Sequence, residues 1–352
     1  MRDVAIVSFV QSDCRRDAGA LNEVELIMPV VKSALDAAGF SSVQDVDFTC
    51  SGSCDYQQGA SFAFVAGVDA LGAVPPIKES HVEMDAAWAL YESWLKIQMG
   101  QAESALVYGF GKSSPGQLSQ VLSLQLDPYY LAPLGVDSIS LAAMQARLLL
   151  ESGEIDESDM AAVVQRSRAA AKHNPHAQLS GDYSIEQLLA EPMYNDPLRR
   201  HDCCPVSDGA AAMVICSVEK ARELGKSYAV IKGIDHRIET HHVTLRDLMR
   251  SPSVQLAAKK AGVQSAPVEV AEIYAPFSHQ EIIVARALGL GESVDINPSG
   301  GVLSGHLFMA SGLSRIGEVA QRIISGQYRR GVAHATSGPC LQQNMVLVLE
   351  GE

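Results

Sequence analysis

Asp295-Ile296-Asn297-Pro298-Ser299-Gly300-Gly301-Val302-Leu303-Ser304-Gly305-His306, followed by a helix that begins at Ala310, is the stretch that governs the reading of this chain. A short apolar strand passes into an amphipathic helix through three glycines, which let the backbone approach a ligand closely. His306 stands where main chain and side chain can meet the same ligand.

The 352 residues around it are 47% hydrophobic and 19% charged, an ordinary soluble composition with room for two core-bearing units. With 27 Lys and Arg against 41 Asp and Glu, the chain lacks the basic excess that a phosphate-tracking surface needs, so no nucleic-acid partner is expected. Seven cysteines form no even framework and read as reduced thiols, which makes the cytoplasm the expected compartment. Met1-Arg2-Asp3-Val4 enters a strand directly, unlike a signal peptide, and no apolar run reaches the roughly 18 to 20 residues of a membrane-spanning helix.

Apolar spacing predicts a strand over Val4–Val10, a helix over Val24–Gly39, a strand over Val46–Thr49, a helix over Ala86–Met99 and a strand over Ser104–Tyr108. Residues 113–200 differ: turns at Ser113-Ser114-Pro115-Gly116 and Asp127-Pro128, helices near Ser138–Ser152 and Asp156–His173, then a polar run to Pro197. They read as an excursion from the first unit. Val46-Asp47-Phe48-Thr49 stands 225 residues before Ala271-Glu272-Ile273-Tyr274, and Gly100-Gln101 stands 226 before Gly326-Gln327, which points to a duplicated unit. The expected halves are residues 1–227, including the excursion, and 228–352.

In such sheets ligands gather beyond the carboxyl ends of the strands. The loops there carry Tyr274, Ser278, His279, Asn297, Ser299, His306, Thr336, Ser337 and Cys340, a dense set of acid, base and hydrogen-bonding groups. No metal site is expected. Cys50 and Cys54 lack a second Cys/His pair, and His241-His242 and Arg199-Arg200 read first as solvated pairs.

Asp202-Cys203-Cys204-Pro205-Val206-Ser207-Asp208-Gly209-Ala210-Ala211-Ala212, Asn297-Pro298-Ser299-Gly300-Gly301 and Gly305-His306 followed by Ala310-Ser311-Gly312 resemble the thiolase superfamily, in particular its lipid-transfer-protein and sterol-carrier-protein branch. The resemblance spans nearly the whole chain in order. It implies an α/β fold of five layers, αβαβα, with two pseudo-twofold-related halves and the excursion laid over the active site. It also implies a homodimer, or a heterotetramer with two small partners carrying an oligonucleotide-binding-type fold and a zinc ribbon.

The departures from the family pattern carry the functional expectation. Where the family has its nucleophilic cysteine, this chain has Met84-Asp85-Ala86-Ala87-Trp88, with Ala86 at the thiol position and Trp88 in a small-residue slot. The second family cysteine, a base, falls at or beside Thr336, with Cys340 four residues late, and the family His or Asn of the second half falls on Tyr274. His306 matches the histidine that holds the thioester oxygen as an enolate forms. Without a thiolate no acyl-enzyme forms by the family route.

A reaction through a thioester enolate without acyl transfer fits what remains. The expectation is retro-aldol cleavage of a β-hydroxyacyl-CoA in lipid metabolism, such as steroid degradation, since the chain resembles aldolases that cleave steroid side chains. His306 donates to the enolate oxygen, and Tyr274, His279 and Asp85 are the proton-transfer candidates, with His279 able to activate Tyr274. Asn297, Ser299, Gly300, Gly301, Ser337, Gly338 and Trp88 are the expected substrate-binding positions. Coenzyme A enters as part of the acyl-CoA substrate, with no covalently bound cofactor. The alternatives are a thiolase or acyltransferase using Cys340 or a partner's thiol, and a silent acyl-CoA-binding or scaffold subunit.

Overall fold

The computed structural model describes residues 2–59 and 61–352. Strand β1 (Val4–Gln11) is buried almost throughout, as a strand covered on both faces must be. Helix α1 (Glu23–Ala38) starts in a capping box: the Asn22 side chain accepts from the Glu25 N–H at 2.9 Å, and the Glu25 carboxylate accepts from the Asn22 N–H at 2.8 Å. Gly39, at φ 90°, ends it. The first unit continues through β2 (Phe48–Gly52), α2 (Asp55–Gln58), α3 (Phe64–Leu71), β3 (Glu79–Val82), α4 (Ala86–Gln98) and β4 (Ser104–Gly111).

The excursion carries α5 (Leu118–Leu124), α6 (Ser138–Ser152), α7 (Glu157–Ala170), α8 (Ile185–Leu189) and the strands β5 (Met193–Asn195) and β6 (Leu198–Arg199). The chain returns through β7 (Gly209–Ser217) and α9 (Val218–Glu223). It then forms β8 (Ala229–Ile238), α10 (Pro252–Ala261), β9 (Val270–Ile273), α11 (Ser278–Leu288), β10 (Asp295–Ile296), α12 (Ser311–Ile324), β11 (Arg330–Ser337) and β12 (Gln343–Gly351).

Ten strands follow the order β10-β9-β11-β12-β8-β1-β7-β4-β2-β3. From β1 outward the pairings run antiparallel to β7, antiparallel to β4, parallel to β2 and parallel to β3. From β8 outward the same succession repeats through β12, β11, β9 and β10. Among the described residues the two sets pair only where Ala5 faces Val230 and Ile6 faces Ala229. One register differs from the sequence expectation. If Val107 and Ala333 are equivalent, their partners Cys50 and Glu272 are equivalent too, three residues before the 225-residue spacing. The strand itself starts at Phe48 rather than Val46, because Val46 follows a short turn of 3-10 helix.

Helices α1 and α3 cover the outer face of the first five strands, and α10 and α11 cover that of the second five. Helices α4 and α12 touch each other between the sheets, which completes the five layers of the expected thiolase-type α/β fold. Three large apolar cores separate the layers accordingly. Two glycines of β4 bring the site segment close. A Cβ on Gly109 would lie 2.6 Å from the Met309 carbonyl oxygen, and one on Gly111 would lie 2.7 Å from that of Leu307. The backbone after His306 can therefore lie against β4. No helix among the described residues is long and apolar enough to cross a membrane.

Candidate active site

His306 is placed by its own loop. Asn297 adopts φ 53°, its Oδ1 accepts from the Ile273 N–H at 2.6 Å, and its Nδ2 donates to Glu281 Oε2 at 2.6 Å. Gly300 and Gly301 have φ of 91° and 61°, and a Cβ on Gly300 would meet Ser304 Oγ at 2.5 Å and the Ala171 methyl at 2.7 Å. The turn therefore requires glycine there. The His306 N–H donates to Ser207 Oγ at 2.9 Å, and its carbonyl accepts from the Ser207 N–H at 3.2 Å.

So held, the imidazole sits between two side chains. Its Nε2 is 2.6 Å from Tyr274 Oη, and its Nδ1 is 3.4 Å from Cys204 Sγ. Burial, with the Arg315 charge second, pushes His306 down to about 3. Burial, with Asp85 and Cys204 adding negative potential, pushes Tyr274 well above its ordinary value. Both groups are thus neutral across the physiological range, joined by a short hydrogen bond in which the imidazole tautomer decides which of them donates.

Asp85 lies at the junction of the two central helices. Its Oδ1 accepts from the Ala87 N–H at 2.8 Å and the Leu313 N–H at 3.2 Å, and its Oδ2 accepts from the Gly312 N–H at 2.7 Å, so one carboxyl group caps both α4 and α12. Burial pushes it up to about 7, against the downward pull of the three N–H donors. Because the folded value exceeds the unfolded one, the folded state holds the extra proton from about 3.8 to about 7. Its contribution to stability is full below that window and lost as pH rises through it. Between about pH 4.5 and 7.5 the wild type is expected to lose more stability than Asp85→Asn, by an amount of order 4 kcal/mol at most. Urea unfolding of both proteins at a series of pH values measures the difference; equal losses would show that Asp85 titrates normally.

A second buried charge system stands behind the loop. Arg315 Nη1 on α12 is 2.5 Å from Glu272 Oε2 on β9 and 2.5 Å from Ser299 Oγ. The Ser299 hydroxyl donates to Glu272 Oε2 at 2.7 Å, and its N–H donates to Glu272 Oε1 at 2.9 Å. Burial raises Glu272 while Arg315 lowers it, and the ion pair with its serine is the form this geometry satisfies.

A cavity of about 810 Å³ opens between the excursion and the first unit, lined among others by Arg16, Arg168, Tyr183, Arg200, Cys203 and Cys204. Cys204 is the cavity-wall residue hydrogen-bonded to His306.

The remaining expected positions separate into groups. His279 does not neighbour Tyr274: its Nε2 is 3.2 Å from Gln145 Oε1, and burial pushes it down to about 3, so it supplies no cation to activate the phenol. The Cys340 thiol points away from His306, donating to the Leu141 carbonyl at 3.5 Å within an apolar cluster with Leu126, Val243 and Leu248, and burial pushes it up to about 11. Thr336 Oγ1 donates to the Gln343 carbonyl at 3.0 Å. Ser337 and Gly338, the latter at φ 75°, end β11. Trp88 is buried in the central core with its indole N–H unpaired. Asn297 and Ser299 spend their polar atoms on the protein itself, so with Gly300 and Gly301 they shape the loop rather than reach a substrate.

Sequence reasoning passed over Cys204, Glu272 and Arg315. Glu272 had a readable signal, a charge between Ala271 and Ile273 inside a predicted strand, since a buried charge demands a partner.

No family model matches the chain. It is 29% identical over 91% of its length to 89% of the acetyl-CoA acetyltransferase of Methanocaldococcus jannaschii. It is 24% identical over 79% of its length to 57% of sterol carrier protein 2 of Oryctolagus cuniculus. Among solved structures it is similar to the Ltp2–ChsH2(DUF35) aldolase, with a TM-score of 0.81, 20% identity, and coverage of 99% of this chain and 98% of that one.

Proposed function

We propose that this chain, similar to thiolase-superfamily proteins over nearly its whole length, is a carbon–carbon lyase of that superfamily acting on a β-hydroxyacyl-CoA by retro-aldol cleavage. The observation that carries the reading is the neutral Tyr274–His306 pair at 2.6 Å, in a site whose helix start holds Asp85 and Ala86 instead of a thiol. A base takes the β-hydroxyl proton, the Cα–Cβ bond breaks, and its electrons run into the thioester carbonyl. Protonation of the enolate then releases a shorter acyl-CoA beside an aldehyde or ketone.

In this scheme Tyr274 moves the β-hydroxyl proton, and His306, fixed by Ser207, donates its Nδ1–H toward the enolate oxygen once the thioester displaces that nitrogen from Cys204. Coenzyme A belongs to the substrate. The volume of the cavity admits a bulky acyl group, and a steroid side chain is the proposed example. The aldolase likeness also supports a small partner protein, in a homodimer or a heterotetramer built on one.

The name of the archaeal relative favours a second reading, thiolysis of a 3-oxoacyl-CoA by free coenzyme A. Cys340, the thiol first considered for it, faces Leu141 instead of His306. Incubation with a β-hydroxyacyl-CoA in one arm and a 3-oxoacyl-CoA plus coenzyme A in the other, read by mass spectrometry of the acyl-CoA products, separates the two. Carbonyl release in the first arm is the expected result. Thiolysis in the second with no cleavage in the first would overturn the lyase reading, and turnover in neither would leave an acyl-CoA-binding subunit.

A further inference from the structure

We propose that Arg168 binds a carboxylate on the acyl group of the substrate, so that the ligand of this cavity is the CoA thioester of a dicarboxylic acid. This rests on the acyl-CoA reading above and gives its acyl group an acidic end. Among the described residues four arginines are buried: Arg168, Arg199, Arg315 and Arg330. Three of them have an acid. Arg199 Nη1 is 2.8 Å from Glu157 Oε2, Arg315 pairs with Glu272, and Arg330 pairs with Glu350. Arg168, only 6% exposed, forms no ion pair with any described residue, although a guanidinium stays cationic at every physiological pH. A buried cation without a counter-charge is costly. Here the guanidinium lines the cavity of about 810 Å³, where a ligand can supply that charge.

One nitrogen of Arg168 is occupied, Nη1 donating to the Leu303 carbonyl, and the rest of the fork is left for the cavity. A second donor stands in the same wall. Gln178 Oε1 accepts the Ser207 hydroxyl at 2.7 Å, which leaves the amide N–H groups of Gln178 for a ligand oxygen. The two acids of the wall do not neutralise Arg168: Glu191 Oε2 is 2.9 Å from His201 Nδ1, and Asp17 is exposed, its Oδ1 accepting from the Gly19 N–H at 2.7 Å.

Position decides which anion fits. Arg168 holds the Leu303 carbonyl and the Gln178 N–H donates to the Ser304 carbonyl at 2.9 Å, so both donors are tied to the loop just before His306. Ser207 links Gln178 to His306 as well, accepting from the His306 N–H at 2.9 Å. The cationic site is thereby fixed beside the reacting end. An extended pantetheine arm puts the nearest phosphate of coenzyme A on the order of 15 Å from the thioester sulfur. With the thioester at His306, the phosphates lie away from Arg168. A carboxylate a few carbons beyond Cβ lies beside it, and the planar fork of a guanidinium matches a carboxylate.

Isothermal titration with acyl-CoA ligands that cannot be cleaved tests the site. Glutaryl-CoA and adipoyl-CoA are compared with their ω-amides, which have the same shape and no charge. The wild type is expected to bind the better-fitting acid roughly 10- to 100-fold more tightly than its amide, the range of a hydrogen bond to a charged group. Arg168→Gln should bring the acid to the affinity of its amide, and Arg168→Lys should restore part of the preference. Equal affinities of acid and amide for the wild type would overturn the proposal, and that comparison needs no variant to fold. A loss shared equally by acid and amide in Arg168→Gln would assign the guanidinium to the phosphates of coenzyme A and overturn it as well. Incubating the wild type with the β-hydroxy derivatives of the same acids separates this site from the lyase reading. A preference for the acid without cleavage would leave the carboxylate site standing and overturn the lyase, and cleavage without a preference would do the reverse.

Discussion

Tyr274→Phe is expected to lower kcat for β-hydroxyacyl-CoA cleavage by roughly 1,000-fold, within the range that one positioned acid–base group contributes. The phenyl ring keeps the packing of Tyr274 in the central core, so only the hydroxyl is lost. Its loss leaves His306 Nε2 buried without its partner, which costs about 1–3 kcal/mol of stability. That cost is too small to empty the folded state of a typical domain. KM should change little, because the phenyl ring keeps the shape of the site and the lost hydroxyl is paired with His306. Steady-state kinetics together with urea unfolding check the prediction. A variant that kept its kcat while losing the stability would reduce Tyr274 to a packing residue.

The second large effect concerns stability. Arg315→Met should cost about 3–5 kcal/mol, because it leaves the Glu272 carboxylate buried at the centre of the second unit without its counter-charge. The double variant Glu272→Gln with Arg315→Met should recover part of that loss, since the unpaired charge is then gone as well. Urea midpoints of the four proteins measure the coupling. Additive losses would mean that the two groups do not form the ion pair. The same substitution also removes the positive potential that helps hold His306 low, so its imidazole should titrate closer to the ordinary value. Proton NMR of the ring measures that shift.

The parts of this molecule that repeat, alternate or cap were readable from the sequence, because they depend on neighbours a few residues away. Helix α1 ends at Gly39 and α4 begins after Asp85 for local reasons of backbone freedom and capping, and the doubled succession of elements shows in the spacing of Gly100 and Gly326. The 225-residue match failed by three residues at β2 and β9 because strand register is set by pairing with β4 and β11, which spacing does not contain. Tyr274 and His306 could be singled out as separate residues of opposite loops. That His279 turns toward Gln145 instead is a consequence of where α6 packs, 134 residues away in sequence. Cys204 was hidden for the same reason: its partner lies 102 residues on, and its motif carried only the family resemblance. Asn297 and Ser299 look like ligand-binding residues in the sequence, yet buried main-chain and carboxylate groups claim their polar atoms first.

The shared cap at Asp85 also determines where negative charge can grow. The start of a helix carries the equivalent of roughly half a positive charge, and two such starts directed at one point make an attractive seat for an oxyanion. Here that seat is already taken. The N–H groups of Ala87, Gly312 and Leu313 all point at a carboxyl group the chain supplies itself, and when ionised it cancels the field of both helices inside the protein. A thioester oxygen brought to this junction would meet a carboxyl group instead of free donors. With the junction closed in this way, a substrate oxyanion has to form elsewhere, and a single carboxyl group at the meeting point of two helices is what closes it.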